Sequence, residues 1–384
     1  MDASVTTQST GSDARAEALV ASYERAGYAR VAPAMLQPAE PFLDLSGEDI
    51  RRRIYLTTTP DGDEFCLRPD LTIPVSREYL ASPLAGKPAS YCYLGPVFRH
   101  SKDGPAEFVQ AGVESFGRAD KAAADAEMLA LGLEATAHYS LNAPDIQIGD
   151  VALFASLIAA LELPPAWKRR LIKDFNRKTN LAQDLDRMVL GGNNARPEYQ
   201  GVLAALAGSD PKGARALVTD LLSIAGINAV GGRSVGEIAD RFLEQSALGA
   251  SAGLPRDIRA LIERFLAIQG NPDDAAAAMH ALASEAKITS ALAPALDQFE
   301  SRTGFLEARG VDVKRVRFST AFSRGFDYYT GLVFELTDPN RSGDPLVAGG
   351  RYDELLVRLG AAHATAAVGF AIWIERLAVY GGRS

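Results

Sequence analysis

Residues 323–336, with the sequence SRGFDYYTGLVFEL, restrict the possible folds of this chain more than any other segment. Aromatic and β-branched residues favour an extended, half-buried strand, and Gly325 and Gly331 permit backbone angles or close approaches that other residues resist. The pattern predicts a strand, a tight turn and a second strand, which form a hairpin of an antiparallel sheet. In one interpretation its tyrosines fill the core. In the other, Arg324 and Tyr329 face a pocket for a small, flat, polar ligand.

A second strand is indicated by residues 108–116, with the sequence FVQAGVESF. Side chains alternate between the faces of a strand, so one face carries Phe108, Gln110, Gly112, Glu114 and Phe116. A solvated face would seldom alternate aromatic, amide, glycine and carboxylate side chains. A pocket needs polar groups between apolar walls and a glycine where the ligand comes close. This face is therefore predicted to be the floor of a pocket.

A hairpin is predicted over residues 55–68, because strand-like residues flank the turn sequence PDGD. It leads into Asp70 and Thr72, which would share one face if the strand continued. The simpler interpretation is a strand exit in which Asp70 caps a helix over residues 73–80.

Length and composition limit the classes of protein to which this chain can belong. A chain of 384 residues with 47% hydrophobic residues is an ordinary soluble protein in which two domains are expected. Its net charge of -8 offers no basic surface for nucleic acid. Cys66 and Cys92 lack metal-ligand or CxxC spacing and are interpreted as reduced core thiols of a cytoplasmic protein. Residues 1–13 are predicted to be a disordered tail rather than a signal peptide, and no apolar run is long enough for a membrane helix.

The pattern changes to helices between residues 151 and 309, where apolar stripes such as Ile258, Leu261, Ile262 and Phe265 recur at helical spacing. Within this interval, residues 168–178 are rich in lysine and arginine. They could contact RNA or a phosphate-bearing ligand, but a solvated helix face is the favoured interpretation.

Four segments together resemble the class II aminoacyl-tRNA synthetases. YLGPVFRH at residues 93–100 and EFVQAGVESFG at 107–117 resemble motif 2, residues 367–379 resemble motif 3, and residues 28–45 occupy the position of the dimer-forming motif 1. Residues 324–335 and the sequence GGRYD at 349–353, expected to form a close-packed turn into a helix, narrow the resemblance to histidyl-tRNA synthetase and its relatives. The resemblance implies an α+β fold with an antiparallel sheet flanked by helices. The core would comprise residues 14–150 and 310–384, with a helical insertion region at 151–309.

The resemblance also implies a histidine pocket with one partner for each ligand group. Asp70, Thr72 and Gln110 would hold the ammonium group, and Glu114 and Tyr329 the imidazole, with Tyr352 beside it. Arg99 and Arg324 would take the carboxylate by charge-assisted contact. No catalytic residue, cofactor or metal ligand is predicted.

The sequence departs from the synthetase pattern where ATP would bind. Ser101 replaces a glutamate of motif 2, and the loop at residues 100–106 is short and lacks arginines. Trp373 replaces a small glycine of motif 3, where an indole is expected to fill space used by the adenine or its ribose. Asp70 stands where synthetases usually have glutamate. The chain also has only eight residues after Arg376, so no anticodon-binding domain is expected.

Two hypotheses follow. The favoured one is the non-catalytic regulatory subunit of short-form ATP phosphoribosyltransferase, a synthetase relative that acts with the catalytic subunit in the first step of histidine biosynthesis. The alternative is a minimal histidyl-tRNA synthetase served by a separate anticodon module. The resemblance further implies a homodimer inside a larger hetero-oligomer, histidine as an effector bound in the pocket or at a subunit interface, and no tRNA partner.

Overall fold

The computed structural model describes residues 14–45, 48–102, 104–175, 254–341 and 343–380, with a few isolated positions between 181 and 220. The predicted tail at 1–13 and most of the predicted helices between 176 and 253 lie outside the described residues. Within these ranges, no helix combines the length and apolar character that crossing a membrane requires.

A nine-stranded sheet forms the centre of the fold, and a three-stranded sheet lies beside it. The strands are β1 (Ala29–Arg30), β2 (Leu36–Pro38), β3 (Leu56–Thr58), β4 (Glu64–Leu67), β5 (Ala89–Phe98), β6 (Glu107–Phe116), β7 (Asp145–Asp150), β8 (Gln269–Gly270), β9 (Val316–Ser319), β10 (Leu332–Thr337), β11 (Val347–Arg351) and β12 (Ala367–Trp373). The order in the large sheet is β1-β5-β6-β12-β11-β10-β7-β9-β8, and in the small one β2-β4-β3. Neighbouring strands are antiparallel except for the parallel pairs β1/β5 and β7/β9.

Helices cover the large sheet. They are α1 (Ala14–Arg25), α2 (Glu40–Leu45), α3 (Glu48–Arg51), α4 (Thr72–Ala81), α5 (Lys121–His138), α6 (Val151–Ala160), α7 (Pro165–Phe175), α8 (Arg256–Leu266), α9 (Pro272–Glu285), α10 (Thr289–Ala308), α11 (Leu355–Arg358) and α12 (Ile374–Ala378). Helix α5 packs against β10, β11 and β12, α1 packs against β5 and β6, and α10 packs on α5 and α6. This arrangement confirms the predicted α+β fold, whereas the division into a core and an insertion region stays a prediction.

Local patterns with a clear period are reproduced. The hairpin predicted at 55–68 is the antiparallel pair β3/β4, and the strand predicted at 108–116 is β6. Ile262 and Phe265 of the α8 stripe are buried, as its spacing predicts. Cys66 and Cys92 are buried free thiols, and burial raises the pKa of Cys66 to about 12 and that of Cys92 to about 11.

The hairpin predicted at residues 323–336 is wrong. Strand β7 lies between β9 and β10, so these two strands do not pair with each other. Residues 320–331 form an irregular loop, and only Leu332–Thr337 is a strand. Thr320 donates its hydroxyl to the carbonyls of Phe265 in α8 and of Ile268, and Ser323 donates to the carbonyl of Phe175 in α7. These hydrogen bonds hold the loop away from a ladder.

The turn into a helix predicted for residues 349–353 begins later than predicted. Gly349 and Gly350 lie inside the central strand β11, and the chain turns only after Tyr352, before the short helix α11. The reason is steric, because β11 sits where neighbouring strands and side chains come too close for a Cβ atom. A Cβ on Gly350 would come within 2.9 Å of the Tyr329 ring.

Candidate functional site

A cleft of about 1030 Å³ opens on the sheet face that carries Gln110. It receives side chains from β6, β11, β12, the start of α4 and the 320–331 loop. Seven of the eight predicted site residues line it: Asp70, Thr72, Arg99, Gln110, Arg324, Tyr329 and Tyr352. Glu114, the eighth, lies beneath two of them. The structure therefore brings together residues that are up to 282 positions apart in the sequence, from Asp70 to Tyr352.

Glu114 is buried under the cleft and accepts three hydroxyl hydrogen bonds. Thr72 Oγ1 donates at 2.7 Å and the Tyr93 hydroxyl at 3.3 Å, both to Oε1, and the Tyr352 hydroxyl donates to Oε2. Burial raises the pKa of Glu114 to about 8, although all three hydroxyls favour the ionised form. The carboxyl group is therefore largely neutral at pH 7, and the cleft meets it through Thr72 and Tyr352.

Glycines make room for this buried carboxyl group. Gly369 of β12 pairs directly with Glu114 of β6, and Gly350 of β11 pairs with Gly369 on its other side. A Cβ on Gly369 would overlap Oε2 of Glu114. Gly112 similarly pairs with Tyr93, so the tyrosine can lie flat and reach Glu114. The glycines leave a hollow in the sheet surface, and the hydroxyl and carboxyl groups occupy it.

One end of the cleft has polar groups without partners. Asp70 Oδ1 accepts a hydrogen bond from the N–H of Ile73 at 3.1 Å, but in the described part of the chain no donor reaches Oδ2. The side-chain amide of Gln110, fully buried, has no partner for either its oxygen or its nitrogen within those residues. Unpaired buried polar groups are costly, so these atoms favour a polar ligand at this end.

Asp70 and Thr72 do not reach the cleft from one face of a continued strand. Thr72 is the first residue of α4, and Asp70 bonds to the backbone N–H of Ile73 in the first turn. The helix-capping interpretation is thus correct for the backbone. The cleft nevertheless receives both side chains, because the start of α4 points at it.

Arg99 forms a cationic wall next to this end. Its Nε donates to the carbonyl of Pro69 at 2.7 Å, and its guanidinium group lies 5.4 Å from the centre of the Phe108 ring. Burial lowers the pKa of Arg99 to about 10, against the attraction of Asp70. The group therefore stays charged at neutral pH and can bind an anion.

The 320–331 loop supplies Arg324 and Tyr329. Arg324 Nε donates to Glu335 at 3.1 Å, and Nη1 donates to the Tyr329 hydroxyl at 3.3 Å. The loop turns at Gly325, whose φ of 75° favours glycine. Arg324 and Tyr329 both line the cleft, and their contact with a ligand stays a prediction.

A buried ion network supports β11, the strand that precedes Tyr352. Arg302 of α10 bonds to Asp125 at 3.3 Å and to Asp150 at 2.7 Å, and Arg351 of β11 lies 2.6 Å from Asp125. Arg351 also pairs with Asp353 at 2.8 Å. The network connects α10, α5, β7 and β11. Because each buried charge has a partner, it fixes the position of β11 without leaving an uncompensated charge.

The cleft is also lined by Trp373, Arg376, Arg52 and Arg53. Arg376 lies 5.0 Å from the centre of the Trp373 ring and bonds to Asp344 at 2.8 Å. Sequence reasoning missed Arg52 and Arg53, although the run of three arginines at 51–53 is a visible signal. It also missed Tyr93, whose position opposite Gly112 could not be read before the strand register was known.

The basic segment at 168–178 begins in α7, and Arg177 and Lys178 lie outside the described residues. Lys168 donates to the carbonyl of Ala159 at 2.7 Å, and Arg170 pairs with Asp174 at 2.5 Å. At least two of its charges are thus engaged within the helical region itself.

Comparison with known proteins agrees with this geometry. The sequence model of the histidyl-tRNA synthetase family matches residues 7–233 and 213–377. The ATP phosphoribosyltransferase regulatory subunit of Brucella canis is 42% identical over 353 residues, which are 91% of this chain and 92% of that protein. The chain belongs to the histidyl-tRNA synthetase family. Within that family it groups with the regulatory subunits of ATP phosphoribosyltransferase, since the same name and identity recur in Brucella suis.

Solved structures of the histidyl-tRNA synthetase family share the fold. An ATP phosphoribosyltransferase regulatory subunit/histidyl-tRNA synthetase from Bacillus halodurans superposes with a TM-score of 0.65 at 22% identity, over 96% of this chain and 78% of that one. A histidyl-tRNA synthetase from Nostoc has a TM-score of 0.61 at 18% identity, over 95% and 69%. The predicted resemblance is confirmed. The prediction of a regulatory rather than catalytic subunit is confirmed by the names of the curated relatives.

Proposed function

We propose that this chain is the regulatory partner of a short-form ATP phosphoribosyltransferase catalytic subunit, and that free histidine binds in the cleft to inhibit the complex. The single observation that carries the proposal is the set of unpartnered atoms at one end of the cleft. Asp70 Oδ2 and the Gln110 amide suit an ammonium group, and Arg99 beside them suits a carboxylate. The curated relatives are named regulatory subunits of ATP phosphoribosyltransferase, which supports the catalytic subunit of that enzyme as the partner.

The imidazole of histidine has partners in the same cleft. Tyr329 and Tyr352 line it, and the Tyr352 hydroxyl rests on the buried Glu114 carboxyl group. Hydroxyl groups both donate and accept hydrogen bonds, as the two nitrogens of a neutral imidazole require. For inhibition, histidine must bind more tightly to the inhibited state of the complex than to the active state.

The proposal includes a homodimer within a larger hetero-oligomer, formed through residues 28–45. Met35 and Leu36 in this segment are exposed by 52% and 46%. Large exposed apolar side chains of this kind are typical of contact surfaces when they lie together. Symmetric assembly is the usual outcome for soluble oligomers.

Reconstitution with the short catalytic subunit tests the proposal. We expect phosphoribosyl transfer by the catalytic subunit to rise when this chain is added and to fall as histidine is titrated. Tyr329→Phe removes a hydroxyl in the cleft and is expected to raise the half-inhibitory histidine concentration by roughly 5–10-fold. Tyr79→Phe is the matched control, since Tyr79 is buried and its hydroxyl bonds to the carbonyl of Lys87.

Two outcomes of that experiment would contradict the proposal. If the chain leaves the transferase activity unchanged, the regulatory function is wrong. If inhibition occurs but Tyr329→Phe responds to histidine as the wild type does, the cleft is not the sensor and histidine acts at a subunit interface.

The size of the cleft favours a second candidate function, that of a minimal histidyl-tRNA synthetase. Its 1030 Å³ lies at the top of the range that holds drug-sized ligands, about 300–1,000 Å³, and exceeds what one amino acid needs. Arg376, which also lines the cleft, is suited to a phosphate. Histidine-dependent exchange between ATP and pyrophosphate is the decisive assay. We expect no exchange by this chain alone, because the indole of Trp373 in the cleft lining fills space that the adenine or its ribose needs. Robust exchange would make the synthetase the better interpretation.

A further inference from the structure

Trp373 has an unpaired hydrogen-bond donor at the cleft. Its side chain is 7% exposed and lines the cleft, and no acceptor within the described residues reaches its Nε1. An indole N–H can only donate. A buried donor without an acceptor is costly in the free protein, and a ligand that supplies an acceptor removes that cost.

The neighbours of Trp373 show which acceptor fits. Trp373 of β12 pairs directly with Gln110 of β6, whose amide is unpartnered too. Two buried polar groups without partners therefore sit side by side on adjacent strands, next to the end of the cleft that Asp70 and Arg99 line. The guanidinium group of Arg376 lies 5.0 Å from the indole ring, so positive charge flanks the donor on that side. An acceptor in this position is best satisfied by an anionic oxygen.

An unpaired indole N–H alone would not identify a site. Trp167 of α7, the other tryptophan of the chain, is also buried and its Nε1 also lacks a partner among the described residues. Trp167 does not line the cleft and does not pair with another unpartnered polar group. Of the two tryptophans, Trp373 is the one that lines the cleft, has an unpaired N–H donor and pairs with a strand neighbour whose amide also lacks a partner.

We propose that Trp373 is a specificity-determining residue, whose Nε1–H donates a hydrogen bond to the carboxylate of the bound amino acid. This inference rests on the proposed binding of histidine in the cleft. In that arrangement Gln110 and Asp70 hold the ammonium group, and the carboxylate lies between Arg99 and the indole. A ligand in which a neutral hydroxyl group replaces the carboxylate can accept only a weaker hydrogen bond from the indole N–H. Trp373 thus makes the cleft a receptor for the free amino acid.

Calorimetric titration of the full chain with histidine and with histidinol tests the inference. Histidinol keeps the ammonium and imidazole groups but has a hydroxymethyl group in place of the carboxylate. Trp373→Phe keeps an aromatic ring and removes the N–H, and Trp167→Phe is the matched control. We expect Trp373→Phe to raise the Kd for histidine by roughly 5–20-fold and the Kd for histidinol by no more than about threefold, because a hydroxyl is the weaker acceptor. Trp167→Phe is expected to leave both within about twofold.

A second measurement leaves Trp373 intact and remains informative if Trp373→Phe does not fold. In the Trp167→Phe variant Trp373 is the only tryptophan, because the chain has two. We expect histidine to shift its fluorescence emission, since the indole N–H gains a charged acceptor, and histidinol to produce a smaller shift. AMP tests a phosphate as the acceptor instead, and a shift with AMP but not with histidine would overturn the inference.

The outcomes separate the inference from the proposed function. If the wild type binds histidine and Trp373→Phe binds it equally well, the inference alone is overturned. It is also overturned if Trp373→Phe loses histidine and histidinol alike, because the ring then acts only by packing. A wild-type chain that does not bind histidine overturns the proposed pocket and this inference together.

Discussion

Replacing Gly369 with alanine is expected to lower the free energy of unfolding by about 3 kcal/mol or more and to abolish histidine binding. Gly369 lies in the middle of β12, directly opposite Glu114. The added Cβ would overlap the Glu114 carboxyl group and would come within 2.5 Å of the Val113 carbonyl oxygen. The carboxyl group cannot move aside without losing its bonds to Thr72 and Tyr352, which line the cleft.

Urea unfolding monitored by circular dichroism measures the first effect, and histidine calorimetry measures the second. Gly304→Ala is the matched control, because Gly304 lies in α10 with nothing within 4 Å of its Cβ position. Alanine should stabilise an exposed helix by about 0.5–1 kcal/mol there. If Gly369→Ala is as stable as the wild type, the strand register that places Glu114 over Gly369 is wrong.

The sequence predicts those strands and hairpins in which apolar and polar residues recur with a regular period. Strand alternation in residues 108–116 places Gln110 and Glu114 on one face, and the structure keeps both on the cleft side of β6. A turn sequence between two short strand patterns gives the hairpin β3/β4. In each case the information is local, since side-chain direction follows from the strand itself.

The failures have a shared physical cause. The aromatic run before Leu332 has high strand propensity, but hydrogen bonds from Thr320 and Ser323 to distant helices hold it as a loop. Gly349 and Gly350 favour a turn by composition, yet they lie in a central strand because neighbouring atoms leave no space for Cβ. Both outcomes depend on contacts between segments far apart in the sequence, which override local propensity.

The candidate site depends both on local sequence patterns and on contacts between segments that are far apart in the sequence. The residue types that suit an ammonium group, a carboxylate and an imidazole are readable from the sequence once the family resemblance is recognised. What the sequence leaves open is which of them face the ligand directly. Glu114 proves to lie behind Thr72 and Tyr352, and the unpartnered indole N–H of Trp373 emerges only from the pairing of β12 with β6.

The buried position of Glu114 is expected to make the stability of the protein depend on pH. Its pKa, 4.5 in the unfolded chain, is raised to about 8 by burial. Below pH 4.5 the group is neutral in both states. Between pH 4.5 and 8 the unfolded chain releases this proton and the folded protein keeps it, so the free energy of unfolding falls as pH rises. Well above pH 8 the difference is constant, at about 5 kcal/mol by the size of the shift.

Glu114→Gln isolates this contribution, because an amide does not titrate. The unfolding free energy of the wild type minus that of Glu114→Gln should fall by about 4 kcal/mol between pH 5 and pH 8.5, measured by urea unfolding at each pH. A flat difference over this interval would contradict the buried neutral carboxyl group.

Glu127→Gln supplies a control with the opposite sign. Glu127 also has three donors, the hydroxyl of Tyr28 at 2.6 Å and the guanidinium groups of Arg118 at 2.8 Å and Arg309 at 3.1 Å. Burial disfavours its charge, but the hydroxyl and the two arginines outweigh burial and lower the pKa of Glu127. A lowered pKa contributes stability at pH values above the pKa of the unfolded chain. This contribution is lost as the pH falls through the pKa of the folded protein. The wild type should therefore lose its advantage over Glu127→Gln in acid, whereas its advantage over Glu114→Gln should be largest there. The contrast arises because burial outweighs the three neutral hydroxyl donors at Glu114, whereas at the less deeply buried Glu127 the hydroxyl and two arginines outweigh burial.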